Sequence, residues 1–305
     1  MLLATACPDD AEFEEGSIAE NYDLSGADFS VGSKEFTEQL ILGQITVIAL
    51  QAAGASVDDE TGTVGTGATR SALEGGRTDM YWEYTGTAWF EFFGEDEVIE
   101  EGEQYELVSE RDLEENDIRW LEPAPFDNTF AIAVREEYHA ETGLETLSDL
   151  EDWVPDNVDE ATFCMGTEFS TRPDGFPGLQ EHYNFEVPDG NINVLDVGPI
   201  YSETARGGAC NFGEVFATDG RIAALDLVVL DDDQGYFPVY NPSLTVREEI
   251  YEEWPDIEGL FAEIAQALDM ETMQQLNADV DVEGFDPDEV AENWMREQGF
   301  IGGDD

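Results

Sequence analysis

The chain has 305 residues, of which 73 are Asp or Glu and 11 are Lys or Arg, so its formal net charge at pH 7 is −62. A hydrophobic fraction of 41% and an aromatic fraction of 11% are too high for an acidic disordered protein, and eleven basic residues cannot build the basic patch that nucleic-acid binding requires. Such a charge destabilises a compact protein unless salt screens it. The composition therefore predicts a salt-adapted globular protein and excludes nucleic acid as a partner.

The first 27 residues predict a signal remnant followed by an acidic tether. Small residues precede Cys7 as they do in lipoprotein signal peptides, but a charged start and most of an apolar core are missing. Two interpretations stay open: a shortened signal whose Cys7 takes a lipid anchor, or an ordinary terminal cysteine. The stretch from residue 9 to about 26 predicts a flexible tether. No apolar run reaches the roughly 18 residues of a membrane span.

The next hundred residues alternate strand and helix. Hydrophobic periodicity predicts a strand at 29–32 and a helix at 37–53 that ends at Gly54. A second helix ends at Gly75, and a strand follows at 79–82. Strand, turn and helix in this order open an α/β domain.

A second α/β unit follows, and helices follow it. The predicted strands are 128–134, 161–166, 192–197 and 215–218, and the predicted helices between them are 136–142, 147–153 and 177–183. From residue 240 onward the pattern predicts helices at 246–253, 257–268, 271–279 and 287–299. We therefore predict an α/β fold with domain I at 28–127 plus 241–305 and domain II at 128–240, with crossings near 126–128 and 237–240.

Two cysteines remain once Cys7 is set aside. Outside the cytoplasm the pair Cys164 and Cys210 favours a disulfide. The alternative is two small buried residues, and separation along the chain does not decide between them.

Residues suited to catalysis are scarce. His139 and His182 lie in acid-rich helical segments, and the sequence has no Gly-x-Ser-x-Gly, His-Glu-x-x-His or paired Cys-x-x-Cys motif. The glycines near residue 65 do not continue as a dinucleotide-binding pattern. We therefore expect no enzyme activity, no cofactor and no metal.

Six phrases of the sequence occur together in a known family. They are GSKEFTEQ at 32–39, DMYWEYTGTA at 79–88, DNTFAIAV at 127–134, EFSTRPDGFPGL at 168–179, FATDGRI at 216–222 and DDDQGYFPVY at 231–240. In this order and spacing they resemble the quaternary-ammonium substrate-binding proteins of osmoprotectant ABC importers, over roughly residues 28–300. The resemblance implies a two-domain type II periplasmic-binding-protein fold with a mixed sheet in each domain and the ligand in the interdomain cleft. The acidic composition adds an extreme halophile as the source.

The resemblance implies an aromatic cage for the ammonium end of the ligand. Its rings would be Tyr84, Phe130, Phe216 and Tyr240. The family usually has tyrosine at all four places, so the two phenylalanines are departures. Phenylalanine keeps the ring face that attracts a cation but loses the hydroxyl, so affinity or ligand preference is expected to differ.

The same resemblance implies a clamp for a ligand carboxylate. Its members would be Lys34, which is the only lysine of the chain, the hydroxyl of Thr87, and Arg172. Charge-assisted hydrogen bonds of this kind contribute about 1.5 to 3 kcal/mol each. The alternative for Arg172 is a surface ion pair with one of the many acids. Because choline has no carboxylate, the clamp favours glycine betaine as the ligand.

The resemblance implies a solute-binding protein that holds its ligand between two closing domains and delivers it to an ABC permease. We expect a monomer outside the cytoplasm, at the cell surface and anchored by lipid. Choline, carnitine, proline betaine or ectoine are alternative ligands of the same fold. A solute-sensing domain and an extracellular hydrolase are the alternatives from other classes.

Overall fold

The computed structural model describes residues 16–95, 99 and 101–302, whose strands form two mixed five-stranded sheets with helices on their faces. The predicted α/β fold is confirmed. The two sheets and their helices are called the first lobe and the second lobe below.

The first lobe begins with nine elements from the N-terminal part of the chain. They are α1 (Ser17–Asn21), β1 (Asp28–Lys34), α2 (Thr37–Ala52), β2 (Ser56–Thr63), α3 (Thr66–Glu74), β3 (Met80–Tyr84), α4 (Thr85–Thr87), α5 (Glu101–Asn116) and β4 (Ile118–Trp120). A π-helical turn, Ala88–Phe92, continues α4. Strand β2 was missed by the sequence prediction because it is an exposed edge strand rich in Asp and Glu, paired in parallel only with β1.

The second lobe is one continuous segment. Its elements are β5 (Phe130–Arg135), α6 (Glu136–Thr142), α7 (Asp149–Asp156), β6 (Phe163–Met165), α8 (Phe176–His182), β7 (Ile192–Val194), α9 (Val197–Arg206), β8 (Phe212–Phe216), α10 (Arg221–Ala224) and β9 (Leu227–Val229). The strand order is β7-β6-β8-β5-β9. Strand β5 runs antiparallel to β8, which places Phe130 directly opposite Phe216.

The chain then returns to the first lobe. The returning elements are β10 (Pro242–Arg247), α11 (Glu248–Glu253), α12 (Ile257–Ala267), α13 (Met270–Asp281) and α14 (Pro287–Glu297). Strand β10 lies between β3 and β4, which gives the order β2-β1-β3-β10-β4. The predicted crossings near 126–128 and 237–240 fall inside the two connections between the sheets.

The prediction of helix from residue 246 is wrong at its start, because β10 extends to Arg247. This strand is buried from Pro242 to Val246, so it shows no alternation of polar and apolar residues. A buried strand in the middle of a sheet is hard to distinguish from a buried helix by periodicity.

The flexible tether predicted as far as residue 26 is wrong from Ser17 onward. Helix α1 packs on the first lobe, with Ile18 and Leu24 each 1% exposed. The backbone N–H of Ser17 donates to Gly299 and that of Ile18 donates to Phe300. Cys7 lies outside the described residues.

A disulfide joins Cys164 on β6 to Cys210 just before β8. Of the two interpretations left open by the sequence, the structure has the bonded one. The bridge ties neighbouring elements of the second sheet near one of its edges. Among the described residues, no helix is both long enough and apolar enough to cross a bilayer.

Candidate functional site

A cleft of about 790 Å³ lies between the lobes. All seven residues predicted to contact a ligand line it: Lys34, Tyr84, Thr87, Phe130, Arg172, Phe216 and Tyr240. They come from the ends of strands in both sheets and from the loops that follow, because mixed α/β sheets present such loops at the strand ends. Chain positions more than 200 residues apart thus meet at one place.

Aromatic rings form a continuous row in this cleft. Phe36 lies between Tyr84 and Phe216, with ring centroids at 6.2 and 5.6 Å and nearly parallel planes. Phe216 contacts Phe130 at 5.4 Å, and Phe130 meets the edge of Tyr240 at 5.4 Å and 80°. The row therefore contains the four predicted rings and Phe36, and a sixth ring of the cleft, Phe169, packs on Phe130 at 5.0 Å. The cage assignment missed Phe36, although it lies inside the phrase GSKEFTEQ that carried the resemblance.

Lys34 ends β1 and is 4% exposed. Its Nζ lies 2.7 Å from Oε1 of Glu83 and 5.3 Å from the centre of the Tyr84 ring. Glu83 is fully buried and also accepts from the hydroxyl of Tyr81. An ammonium group has three N–H donors, so one holds Lys34 on Glu83 and two are left for a ligand.

Arg172 lies in the turn between β6 and α8 and is 6% exposed. Its guanidinium makes two hydrogen bonds to Asp174, from Nε at 2.9 Å and from a terminal nitrogen. Glu91 lies 3.5 Å from Nε, and the Phe130 ring centre lies 5.6 Å from Cζ. The surface ion pair considered as an alternative is not what the structure has, because this pair is buried at the cleft.

Both cations thus have a protein carboxylate as a partner, which the sequence prediction did not include. Glu83 and Asp174 stand one and two residues from predicted site residues, inside quoted phrases. Their position in those phrases is the only signal that could have found them, because carboxylates are too common in this chain to stand out.

Two further buried carboxylates contact the site, since Glu214 lines the cleft and Glu38 lies behind Tyr84. Glu214 on β8 accepts the backbone N–H of Gly166 at 2.6 Å, and burial raises its pKa to about 7. Glu38, near the start of α2, is 2% exposed and accepts the hydroxyl of Tyr84 at 2.7 Å and the amide of Asn128 at 2.8 Å. Neither was predicted.

The lobes touch each other on both sides of the cleft. On one side Glu168 accepts the backbone N–H and the hydroxyl of Thr66, each at 3.0 Å. On the other, Arg221 pairs with Asp281 at 3.2 Å, and Asn277 donates to the carbonyl of Thr218 at 3.0 Å. These contacts join the second lobe to α3 and α13, so they can form only when the lobes are close together.

The arrangement of these side chains suits ligand binding better than catalysis. His139 pairs with Glu145 at 3.5 Å, and His182 packs on Tyr183 and Tyr236, outside the residues that line the cleft. The part of the chain that the structure describes has no group of three His, Cys, Asp or Glu side chains suited to a metal. The cleft offers ring faces at one end and N–H donors beside them.

Comparison with known proteins decides the class. A family model described as the substrate binding domain of ABC-type glycine betaine transport systems matches residues 27–297. The chain belongs to this family.

Its relatives include transport proteins from two bacteria. The chain is 37% identical over 276 residues to the glycine-betaine-binding protein of Pseudomonas aeruginosa, covering 89% of this chain and 88% of that one. It is 34% identical over 278 residues to the glycine betaine-binding protein YehZ of Escherichia coli, covering 88% and 90%. The solved structure of apo YehZ superposes with a TM-score of 0.68 at 32% identity, covering 90% of this chain and all of that chain.

Membership in this family of substrate-binding proteins has three consequences. The fold is that of the periplasmic binding proteins, as the resemblance implied. The relatives are transport proteins and not enzymes. Substrate-binding proteins of ABC importers work outside the cytoplasm and pass a small ligand to a permease.

Proposed function

We propose that this substrate-binding protein captures glycine betaine, or a closely related quaternary ammonium solute, in the cleft and delivers it to an ABC permease. The observation that carries the proposal is the row of five aromatic rings beside two buried cations in a single cleft. The named function of the two bacterial relatives agrees with it.

The aromatic row suits the ammonium end of such a solute. A quaternary ammonium has no N–H to donate, so ring faces are its natural partners, at about 0.5 to 2 kcal/mol each when desolvated. Phe36 adds a ring to the four predicted rings of the cage. This added ring surface offsets the loss of the hydroxyls that tyrosine would have in place of Phe130 and Phe216.

The carboxylate end would be met by Lys34, Thr87 and Arg172. Glu83 and Asp174 fix the direction of the two cations before a ligand arrives, which lowers the ordering cost of binding. They also offset much of the positive charge. The clamp therefore acts through directed N–H donors at contact range more than through unbalanced charge.

Choline is the second candidate, and one observation favours it. Acids outnumber cations among the residues that line the cleft: Glu35, Glu168, Asp196, Glu214 and Asp281 against Lys34, Arg172 and Arg221. Such a balance favours a ligand with a net positive charge. Glycine betaine remains the preferred ligand, because Lys34, Thr87 and Arg172 supply donors for its carboxylate.

Four finer proposals accompany the function. The lobes, bounded as predicted at 28–127 plus 241–305 and at 128–240, close on the ligand about the two crossings. The protein acts as a monomer. Cys7 carries a lipid anchor that holds it at the cell surface. The charge of −62 adapts it to the high salt of an extreme halophile.

The test is isothermal titration calorimetry in multimolar KCl with glycine betaine, choline, carnitine, proline betaine and ectoine. We expect micromolar binding of glycine betaine, equivalent to about 8 kcal/mol. Glycine, which lacks the methyl groups, is the control and should not bind. Failure of every quaternary ammonium solute to bind would overturn the proposal, and turnover of any of them would favour an enzyme instead.

A further inference from the structure

Each tyrosine of the cage donates its hydroxyl to a buried carboxylate. The Tyr84 hydroxyl donates to Glu38 at 2.7 Å, and the Tyr240 hydroxyl donates to Asp174 at 2.5 Å. Both carboxylates are almost fully buried, at 2% and 3% exposed. The phenylalanine rings of the cage have no hydroxyl, so they cannot make this contact.

The two carboxylates differ in their own partners. Asp174 is paired with the guanidinium of Arg172, so its charge is largely balanced. The hydrogen bonds that the structure gives Glu38 come from neutral donors: the hydroxyl of Tyr84, and the amides of Asn128 at 2.8 Å and Asn277 at 3.3 Å. Among the described residues, Glu38 is therefore the carboxylate behind the cage that has no cation as a hydrogen-bond partner, so any charge it carries is not balanced by its own hydrogen bonds.

We propose that Glu38 is a specificity-determining residue that acts through Tyr84 and makes the cage select a permanent positive charge, rather than the shape of a trimethyl group. This inference rests on the proposed function of the cleft.

The physical basis is electrostatic. A phenol that donates to a carboxylate gains electron density on its ring, and groups linked by hydrogen bonds polarise one another. The attraction between a ring face and a cation follows that density. The carboxylate itself adds a direct attraction in a buried environment that salt screens little. A neutral group of the same shape feels neither effect.

The electrostatic effect on the ligand requires an ionised Glu38, and the groups around Glu38 influence its pKa. Burial raises the pKa of Glu38, while hydrogen bonds from Thr218, Tyr84, Asn277 and Asn128 oppose that rise. Lys34 lies over the Tyr84 ring, with its Nζ 5.3 Å from the ring centre, so it is the cation that faces this pair from the first lobe. A protonated Glu38 would act as a structural group only, and the experiment below distinguishes the two cases.

The experiment compares two ligands that differ in one atom. Glycine betaine and 3,3-dimethylbutanoate have the same shape and the same carboxylate, but the second has carbon in place of the charged nitrogen. Calorimetry would give the ratio of their affinities for the wild type, Glu38→Gln, Tyr84→Phe and the double variant. We expect Glu38→Gln to lower the ratio about tenfold. Glu38 and Tyr84 act as one unit in this proposal. The affinity ratio of the double variant should therefore be no lower than that of the single variant with the lower ratio.

A tyrosine–carboxylate pair outside the cleft supplies the matched control. Tyr22 donates to Glu263 at 2.9 Å, and neither residue lines the cleft. Glu263→Gln should leave the affinity ratio unchanged.

The outcomes separate the inference from the proposed function. A wild type that binds neither ligand overturns the proposed function. A wild type that prefers glycine betaine, with Glu38→Gln weakening both ligands by the same factor, shows a structural role and overturns the inference alone. If Glu38→Gln does not fold, Tyr84→Phe decides: a lower ratio supports the inference, and an unchanged ratio overturns it.

Discussion

Glu214 gives a prediction about stability that can be worked out from its environment. The side chain is 6% exposed, and burial raises its pKa from 4.5 to about 7, against the opposing effects of the Gly166 N–H and Arg172. Below pH 4.5 the group is protonated in the folded and the unfolded chain, so it contributes no difference. Between pH 4.5 and 7 the folded protein keeps a proton that the unfolded chain releases. Stability therefore falls as pH rises through this window.

The substitution Glu214→Gln removes this penalty, because the amide stays neutral and its oxygen can still accept from Gly166. A pKa shift of about 2.5 units corresponds to about 3 kcal/mol in full. Between pH 5 and pH 8, where the protein stays above its pI of 4.1, the variant should gain about 2.5 kcal/mol over the wild type.

The assay is denaturant unfolding at constant high salt, measured for both proteins at each pH. Taking the difference between them cancels the titration of the other acids. Glu181→Gln, an exposed acid on α8, controls for the loss of one negative charge and should change stability by less than about 0.5 kcal/mol. If the stability difference between Glu214→Gln and the wild type stays constant from pH 5 to pH 8, burial does not raise the pKa of Glu214.

Three further predictions follow from the site and the fold. The double substitution Lys34→Met with Glu83→Gln removes the buried pair without leaving an unpaired charge; calorimetry should show glycine betaine affinity falling at least tenfold with choline spared, and equal losses would contradict the clamp. Replacing Cys164 and Cys210 together by alanine removes a cross-link between residues 46 positions apart and should lower the free energy of unfolding by about 4 kcal/mol. The wild type reduced with dithiothreitol should have the same stability as this variant. A loss below about 1 kcal/mol would contradict the prediction. Thermal melts should show the melting temperature rising steeply between 0.1 and 2 M KCl, because the Debye length falls from about 10 Å to about 3 Å by 1 M; a flat profile would contradict the salt-adaptation proposal.

Much of the fold could be predicted from periodicity where elements have one buried face or clear ends. Helix α2 begins at Thr37 as predicted, and α6 has the predicted bounds. Strand β10 could not be found, because it is buried on both faces and its pairing with β3 and β4 depends on residues far away in the chain. Helix α1 was taken for a tether because its burial depends on the C-terminal residues Gly299 and Phe300.

The candidate site shows the same division between local and distant information. Sequence phrases were sufficient to choose seven residues that all line the cleft, since each phrase keeps its local residues together. They could not show that Lys34 and Arg172 have carboxylate partners, or that Glu38 meets Tyr84 from 46 positions away. In a chain with 73 acids, a particular carboxylate acquires meaning only from its neighbours in space.

The most direct test of the central claim is the crystal structure of this protein with glycine betaine, grown at high salt. We expect the trimethylammonium group to lie against the faces of the aromatic row that includes Phe36, Phe216 and Phe130. We expect the carboxylate to lie within hydrogen-bonding distance of Lys34 or Arg172. A ligand bound outside the cleft, or one whose carboxylate contacts neither cation, would contradict the proposed function.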